Sequence, residues 1–137
     1  MKIMALDLGD SRIGIAFSDI MNIIANGYET YNRKKTDQDY DYICNLAKSN
    51  NVGEIVIGLP INMDGSEGER VKLAREFGEK LSSMLDGIKI QYIDERLTTI
   101  SAERVLLEAD ISREKRKKVI DKIAATIILQ SYLDIKK

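Results

Sequence analysis

Ile3-Met4-Ala5-Leu6-Asp7-Leu8, Gly9-Asp10-Ser11, Arg12-Ile13-Gly14-Ile15-Ala16-Phe17-Ser18 is the stretch that decides the fold. Two β-prone runs, 3–8 and 12–18, flank a turn-forming tripeptide, the pattern of an antiparallel hairpin. Alternation along the first strand sends Ile3, Ala5 and Asp7 to one face and Met4, Leu6 and Leu8 to the other. Asp7 therefore ends a buried strand, where a carboxylate is costly unless a partner or a metal neutralises it. Gly9 lets backbone or ligand come close, and Gly14 leaves room on the facing strand. An aspartate that merely caps the turn is the plainer reading, but Asp10 already occupies that place.

Outward from the hairpin, a third run at 23–31 extends the sheet. Thr36-Asp37-Gln38-Asp39 then starts a helix with Tyr40, Ile43, Cys44 and Ala47 at helical spacing, stopping near Asn50-Asn51. Ile55-Val56-Ile57-Gly58-Leu59 is apolar throughout, as a strand covered on both faces requires. Pro60 opens a loop through Gly65. Ser66 with Glu69 reads as a capping box for a helix with an apolar stripe of Val71, Ala74, Phe77, Leu81 and Met84. A strand is expected at 88–93, then a helix capped by Thr98 or Thr99 and carrying Ala102, Val105, Leu106 and Ala109. A last helix starts at Ser112. The order β-β-β-α-β-α-β-α-α predicts an α/β domain over residues 1–137, a mixed sheet with helices on both faces.

Two later motifs can meet Asp7 only in the fold. In Asp94-Glu95-Arg96, alternation separates Asp94 from Glu95, so at most one of them reaches Asp7, and spacing alone does not choose. Taken alone, Glu95 and Arg96 read as a surface ion pair. Asp121 precedes Ala124, Ala125, Ile128 and Tyr132 at helical spacing, which puts it on the side that packs against the sheet. Pairing with a lysine is the plainer reading there; with two other acids available, a divalent-cation site accounts for all three.

Composition narrows the chemistry. The 137 residues, 44% apolar and 31% charged, fit one globular domain. The chain contains no histidine and one cysteine, which excludes histidine base catalysis, Ser-His-Asp triads and His-ligated zinc. Oxygen ligands remain, and they suit Mg²⁺ or Mn²⁺. Cys44 lies on an apolar helical stripe and reads as a buried thiol. The opening residues lack a signal-peptide pattern, no run is long and apolar enough to span a bilayer, and a lone thiol suits the cytoplasm. A net charge of −1 gives no overall attraction to nucleic acid, so such a partner must be held locally. The run Arg113-Glu114-Lys115-Arg116-Lys117-Lys118 offers a patch, placed where the helix dipole disfavours positive charge; it serves equally as a solvated face or as a phosphate grip. The loop 58–66 enters a helix N-terminus without the Lys-Ser/Thr ending of a Walker loop. A tight loop explains Ser66 and Glu69 but not Asn62 or Gly65.

Ala5-Leu6-Asp7-Leu8-Gly9 with Ser11-Arg12-Ile13-Gly14-Ile15-Ala16, Ser18-Asp19, Ile57-Gly58-Leu59-Pro60, Met63-Asp64-Gly65-Ser66, Asp94-Glu95-Arg96-Leu97-Thr98-Thr99 and Asp121-Lys122-Ile123-Ala124-Ala125 occur together in this order. In that combination the chain resembles the YqgF/RuvX family, Holliday-junction-resolvase-like enzymes also described as pre-16S rRNA nucleases. The resemblance implies a ribonuclease H-like fold with a five-stranded mixed sheet whose first three strands are antiparallel. It implies catalytic and metal-binding acids at Asp7, Glu95 and Asp121, holding a pair of Mg²⁺ or Mn²⁺ ions. It places substrate contacts at Arg12, Asn62, Gly65, Arg96, Arg113, Lys115, Arg116, Lys117 and Lys118.

The expected activity is metal-dependent hydrolysis of phosphodiesters in structured nucleic acid, at the 5′ end of pre-16S rRNA in ribosome biogenesis. Two alternatives stand beside it. One is a Holliday junction resolvase, which needs two active sites and hence suits a homodimer; the other is a non-catalytic nucleic-acid-binding protein. An ATP-binding module, suggested by Asp-x-Gly before a hairpin, needs a second lobe that a chain of this length does not offer.

Overall fold

A computed structural model describes residues 1–97 and 113–136, with backbone alone for Leu97 and for 113–121. β1 (Lys2–Leu8) and β2 (Arg12–Ser18) pair antiparallel, with Asp7 opposite Gly14 and Ala5 opposite Ala16. The Gly9 N–H closes their turn on the Arg12 carbonyl at 2.8 Å. A Cβ on Gly9 would stand 2.9 Å from that oxygen, so the turn demands glycine. β3 (Ala25–Asn32) pairs antiparallel to β2. It begins later than the apolar pattern suggests because Asp19 accepts the amides of Ile23 and Ile24 at 2.7 and 3.0 Å, folding them into a turn.

α1 (Asp37–Ser49) starts where expected, with the Thr36 hydroxyl accepting the Gln38 N–H at 3.2 Å. β4 (Val52–Leu59), α2 (Glu69–Met84) and β5 (Lys89–Asp94) follow, then a 3₁₀ turn at Glu95–Leu97, and α3 (Arg113–Lys136). The expected helix through Ala102 and Ala109 lies outside the described residues. β4 is parallel to both β1 and β5, and the five-stranded order is β3-β2-β1-β4-β5. The capping box does not form. Gly68 is the N-cap of α2 with no side-chain bond, because Asp64 takes the Ser66 amide and hydroxyl at 2.9 and 2.6 Å, a shorter-range partner than the helix offers.

One sheet face packs Met4, Leu6, Ile13, Ile15, Ile55 and Ile57 against α1 and α2, through Ile43, Cys44, Val71, Phe77 and Leu81 among others. Burial raises the Cys44 thiol pKa, which keeps it protonated and inert. The other face packs Ala5, Ala16, Ala25, Val56 and Ile93 against Ala125, Ile128, Leu129 and Leu133 of α3. The alanines let α3 sit close, and at Gly27 a Cβ would stand 2.9 Å from both Lys122 Cγ and Thr126 Oγ1. Fully burying each large side chain contributes about 1.5–3 kcal/mol. Among the described residues, no helix is long and apolar enough to cross a membrane.

Asp39, 1% exposed, sits in the first turn of α1 and ties it to β3. It accepts from Tyr31 Oη at 2.9 Å, the Lys34 and Lys35 amides at 2.8 and 3.1 Å, and Arg33 Nε at 3.4 Å. Burial alone would raise its pKa, but these donors together hold the carboxyl below the usual range. A depressed folded pKa gives stability that is fully present above the unfolded value of about 3.9 and lost as pH falls through the folded pKa. Asp39→Asn is expected to cost about 1–3 kcal/mol at pH 7. It should also flatten the loss of stability below about pH 4 in urea titrations; a variant whose pH series runs parallel to the wild type's contradicts the clamp.

Candidate functional site

Asp7 continues the face of Ile3 and Ala5, the one that α3 covers, and is half-buried where the covering ends. In the β1–β4 register Ala5 lies beside Val56 and Leu6 beside Ile57, so one further residue sets Asp7 beside Gly58. Gly58 is buried and leaves a space on that face. A Cβ there would stand 2.8 Å from Glu95 Cγ, 2.9 Å from Glu95 Cδ and 2.7 Å from Ile128 Cδ1. The Glu95 side chain thus occupies the column next to Asp7, on the same side, with strands about 4.8 Å apart.

Asp94 goes the other way. It ends β5 opposite Leu59 and shares alternation with Tyr92, which packs on the α1–α2 side. Its carboxylate accepts the Arg96 amide at 2.9 Å and the guanidinium at 2.8 and 2.6 Å. Hydrogen bonding from the Arg96 side chain holds Asp94 below the usual carboxylate range. Asp94 and Arg96 thereby brace the 3₁₀ turn that carries Glu95 over Gly58. Alternation leaves the choice between the two acids open; this turn places Glu95 toward Asp7.

The side chain of Asp121 lies outside what the structure describes, as do those of Arg113, Lys115, Arg116, Lys117 and Lys118. The backbone register is informative. Gln130 bonds Ala25 and Ile23 at the far end of β3, whereas Thr126 and Lys122 lie against Gly27. Descending numbers in α3 therefore approach Thr30, which pairs with Gly14 opposite Asp7. Ala125 packs in the cluster of Ala5 and Ala16. Position 121 stands one turn earlier, about 5.4 Å, and Asp7 stands two residues beyond Ala5, about 6.6 Å.

Arg12 alternates with Gly14 onto the face of Asp7, at the turn end of β2. Asn62, Gly65 and Arg96 form a second group, on the side of Asp94 that the Arg96 guanidinium binds. Gly65 adopts φ +88 and donates to the Asn62 carbonyl at 2.8 Å, and Arg96 Nη1 is 3.8 Å from where its Cβ would lie. Asn62 Nδ2 donates to Ser66 Oγ at 3.0 Å.

Among the described residues, no group of three or more His, Cys, Asp or Glu side chains stands together as a metal site. The donor set nonetheless suits a hard divalent cation: two carboxylates on neighbouring columns, half-buried, with glycines making room at 14 and 58. Sequence reasoning did not single out Gly58 as the space-maker for Glu95, although a glycine inside an otherwise bulky apolar strand was the available signal.

A family model described as "RuvX: Holliday junction resolvase" matches residues 1–135. Curated relatives include proteins named "Putative pre-16S rRNA nuclease" from Halothermothrix orenii, 51% identical over 98% of this chain and 95% of the relative, and from Staphylococcus epidermidis, 50% identical over 97% and 95%. Among solved structures, Thermus thermophilus RuvC bound to a Holliday junction substrate aligns with a TM-score of 0.59 at 11% identity, covering 98% of this chain and 96% of that one. The fowlpox virus resolvase in complex with junction DNA aligns with a TM-score of 0.59 at 14% identity, over 99% of both chains. These two likenesses establish a common fold, the ribonuclease H-like arrangement of a five-stranded mixed sheet.

Gly58→Ala must displace Glu95 from its column. We expect Mn²⁺ affinity measured by calorimetry to fall about 10-fold or more, with a stability cost of about 1–3 kcal/mol from overpacking. Unchanged Mn²⁺ uptake in this variant would show that Glu95 does not depend on that space.

Proposed function

We propose, because the chain belongs to the RuvX family of Holliday junction resolvases, that it is a divalent-cation-dependent nuclease that hydrolyses phosphodiesters of structured nucleic acid. The substrate we propose is the 5′ end of pre-16S rRNA, and the compartment we propose is the cytoplasm. The observation that carries this reading is the convergence of Asp7 and Glu95 over Gly58 and Gly14 in a chain half identical, end to end, to proteins named for that activity. Asp7, Glu95 and Asp121 are the acids we assign to hold Mg²⁺ or Mn²⁺.

Cations bound there would supply neutralisation of the charge developing on the scissile phosphate and activation of the attacking water. The chain's own contribution is placement. Asp7 is fixed by its strand pairing, and Glu95 by the Asp94–Arg96 lock and the seat over Gly58. Arg12 stands on the same face to orient the phosphate backbone, and Asn62, Gly65 and Arg96 make a separate patch on the Asp94 side. Such contacts read backbone rather than base, so binding is salt-dependent and largely indifferent to sequence. Proton removal by histidine is not required, in keeping with a chain that has none.

Junction DNA is the second substrate reading, favoured by the family's description, and it calls for a homodimer that presents two such sites. Cleavage of a pre-16S rRNA 5′ fragment and of a four-way DNA junction, with Mg²⁺ and with EDTA, separates the two. Asp7→Asn is expected to lower kcat by about 10³-fold or more while leaving substrate binding within a few-fold. Undiminished cutting by that variant would remove Asp7 from the chemistry. No Mn²⁺ uptake by the wild type would favour a non-catalytic binding protein.

A further inference from the structure

The turn that follows Asp7 is held from outside the hairpin. Arg33, in the β3–α1 connection, donates its Nη1 to the Gly9 carbonyl at 2.8 Å, and its backbone N–H to the Ser11 carbonyl at 2.8 Å. One residue thus grips both ends of the tripeptide between Leu8 and Arg12. The guanidinium is itself immobilised. Nε meets Asp39 Oδ2 at 3.4 Å, and the group lies 5.6 Å from the Phe77 ring centroid. Asp39 is in turn fixed by Tyr31 and by two backbone amides. A cleft of about 120 Å³, lined by Gly9, Asp10, Arg33, Tyr40, Arg70 and Phe77 among others, opens beside it.

We propose that Arg33 is a positioning residue: it braces the Gly9 carbonyl against the buried Asp39 carboxylate and so fixes Asp7 and Arg12 in their working geometry. This rests on the nuclease reading of the Asp7 site. Three physical arguments converge on it. Hairpin tips are where a sheet's backbone moves most easily. Catalytic and metal-binding carboxylates must be held to within about 0.5 Å. The β1–β2 pairing and the Gly9-to-Arg12 bond already set the hairpin's existence and register, so the Arg33 bond adds stiffness at the tip rather than the fold itself. Gly9 is half-buried, and its carbonyl can turn to water when Arg33 is removed. Global stability should fall by what Asp39 loses in one of its four donors, with the strand pairing intact, while the geometry of the carboxylates loosens.

The test uses the full chain. Arg33→Ala should lose about 10-fold or more in Mn²⁺ affinity by calorimetry and a similar factor in kcat, in a protein that still unfolds cooperatively, with a lowered thermal midpoint. Exchange of the Gly9 amide should quicken while the other β1–β2 ladder amides keep their protection. Free guanidinium at tens of millimolar, entering the adjacent cleft, should restore part of the lost affinity and rate. Arg33→Lys keeps the charge but cannot meet the Gly9 carbonyl and Asp39 together; it should show the same split, and it carries the test if the alanine variant does not fold. Arg75→Ala, an exposed arginine paired with Glu67, serves as the neutral control. Wild-type Mn²⁺ affinity, kcat and Gly9 exchange in a folded Arg33 variant overturn the proposal and leave the nuclease reading standing. A wild-type protein that neither binds Mn²⁺ nor cuts overturns both.

Discussion

The close approach of α3 to the sheet is the constraint from which the rest of the site follows. A helix lies near a sheet only where both surfaces are small, and here Ala5, Ala16, Ala25 and Ala125 meet in one cluster, with Gly27 against Lys122 and Thr126. Van der Waals contact over such a seam is lost quickly with distance. The seam therefore fixes the height of α3 above β1 to within a fraction of an ångström. At its end the same face turns polar, at Asp7 and Glu95. Because helix and sheet are set by apolar packing, the acids at this end need no mutual attraction to stay there.

Two acids reach this face by different means. Asp7 arrives by strand alternation, which is why the opening hairpin was legible: its two β-prone runs, its turn tripeptide and the phase of Ile3 and Ala5 all follow from local rules. The remaining strands, the mixed sheet and the starts of α1 and α2's apolar stripe were legible for the same reason. Glu95 arrives by a 3₁₀ turn outside the strand, and alternation carries no information about it. The family resemblance named Glu95; the Asp94–Arg96 lock and the vacant Cβ position of Gly58 give the physical reason the side chain lies where it does.

Misreadings came from competition among short polar side chains. Ser66 and Glu69 have the spacing of a capping box, yet Asp64 lies nearer to Ser66 and captures its amide and hydroxyl, so α2 begins without a side-chain cap. Asp19 likewise takes two amides from a run whose composition reads as strand. The buried Asp39 was invisible for a related cause. Its sequence position suggests only a favourable charge in a helix's first turn, whereas four donors from the β3–α1 connection and Tyr31 draw it into the interior. Local rules name the groups able to bond; tertiary distance decides which pairs form.

The distribution of positive charge fits a protein that must admit a polyanion to a cluster of acids. With 21 basic and 22 acidic side chains the molecule as a whole exerts little pull, so attraction has to be local and short-ranged, within a Debye length of about 8–10 Å. Residues 113–118 carry five of the cations and open α3. Positive charge there opposes the helix dipole and costs the helix a few tenths of a kcal/mol per residue. A run that weakens its own helix, placed next to a carboxylate position on that helix, is poorly explained by folding alone. Contact with phosphates would turn that local cost into a net gain on binding, and it would draw the substrate to the end of the sheet where Asp7 and Glu95 meet.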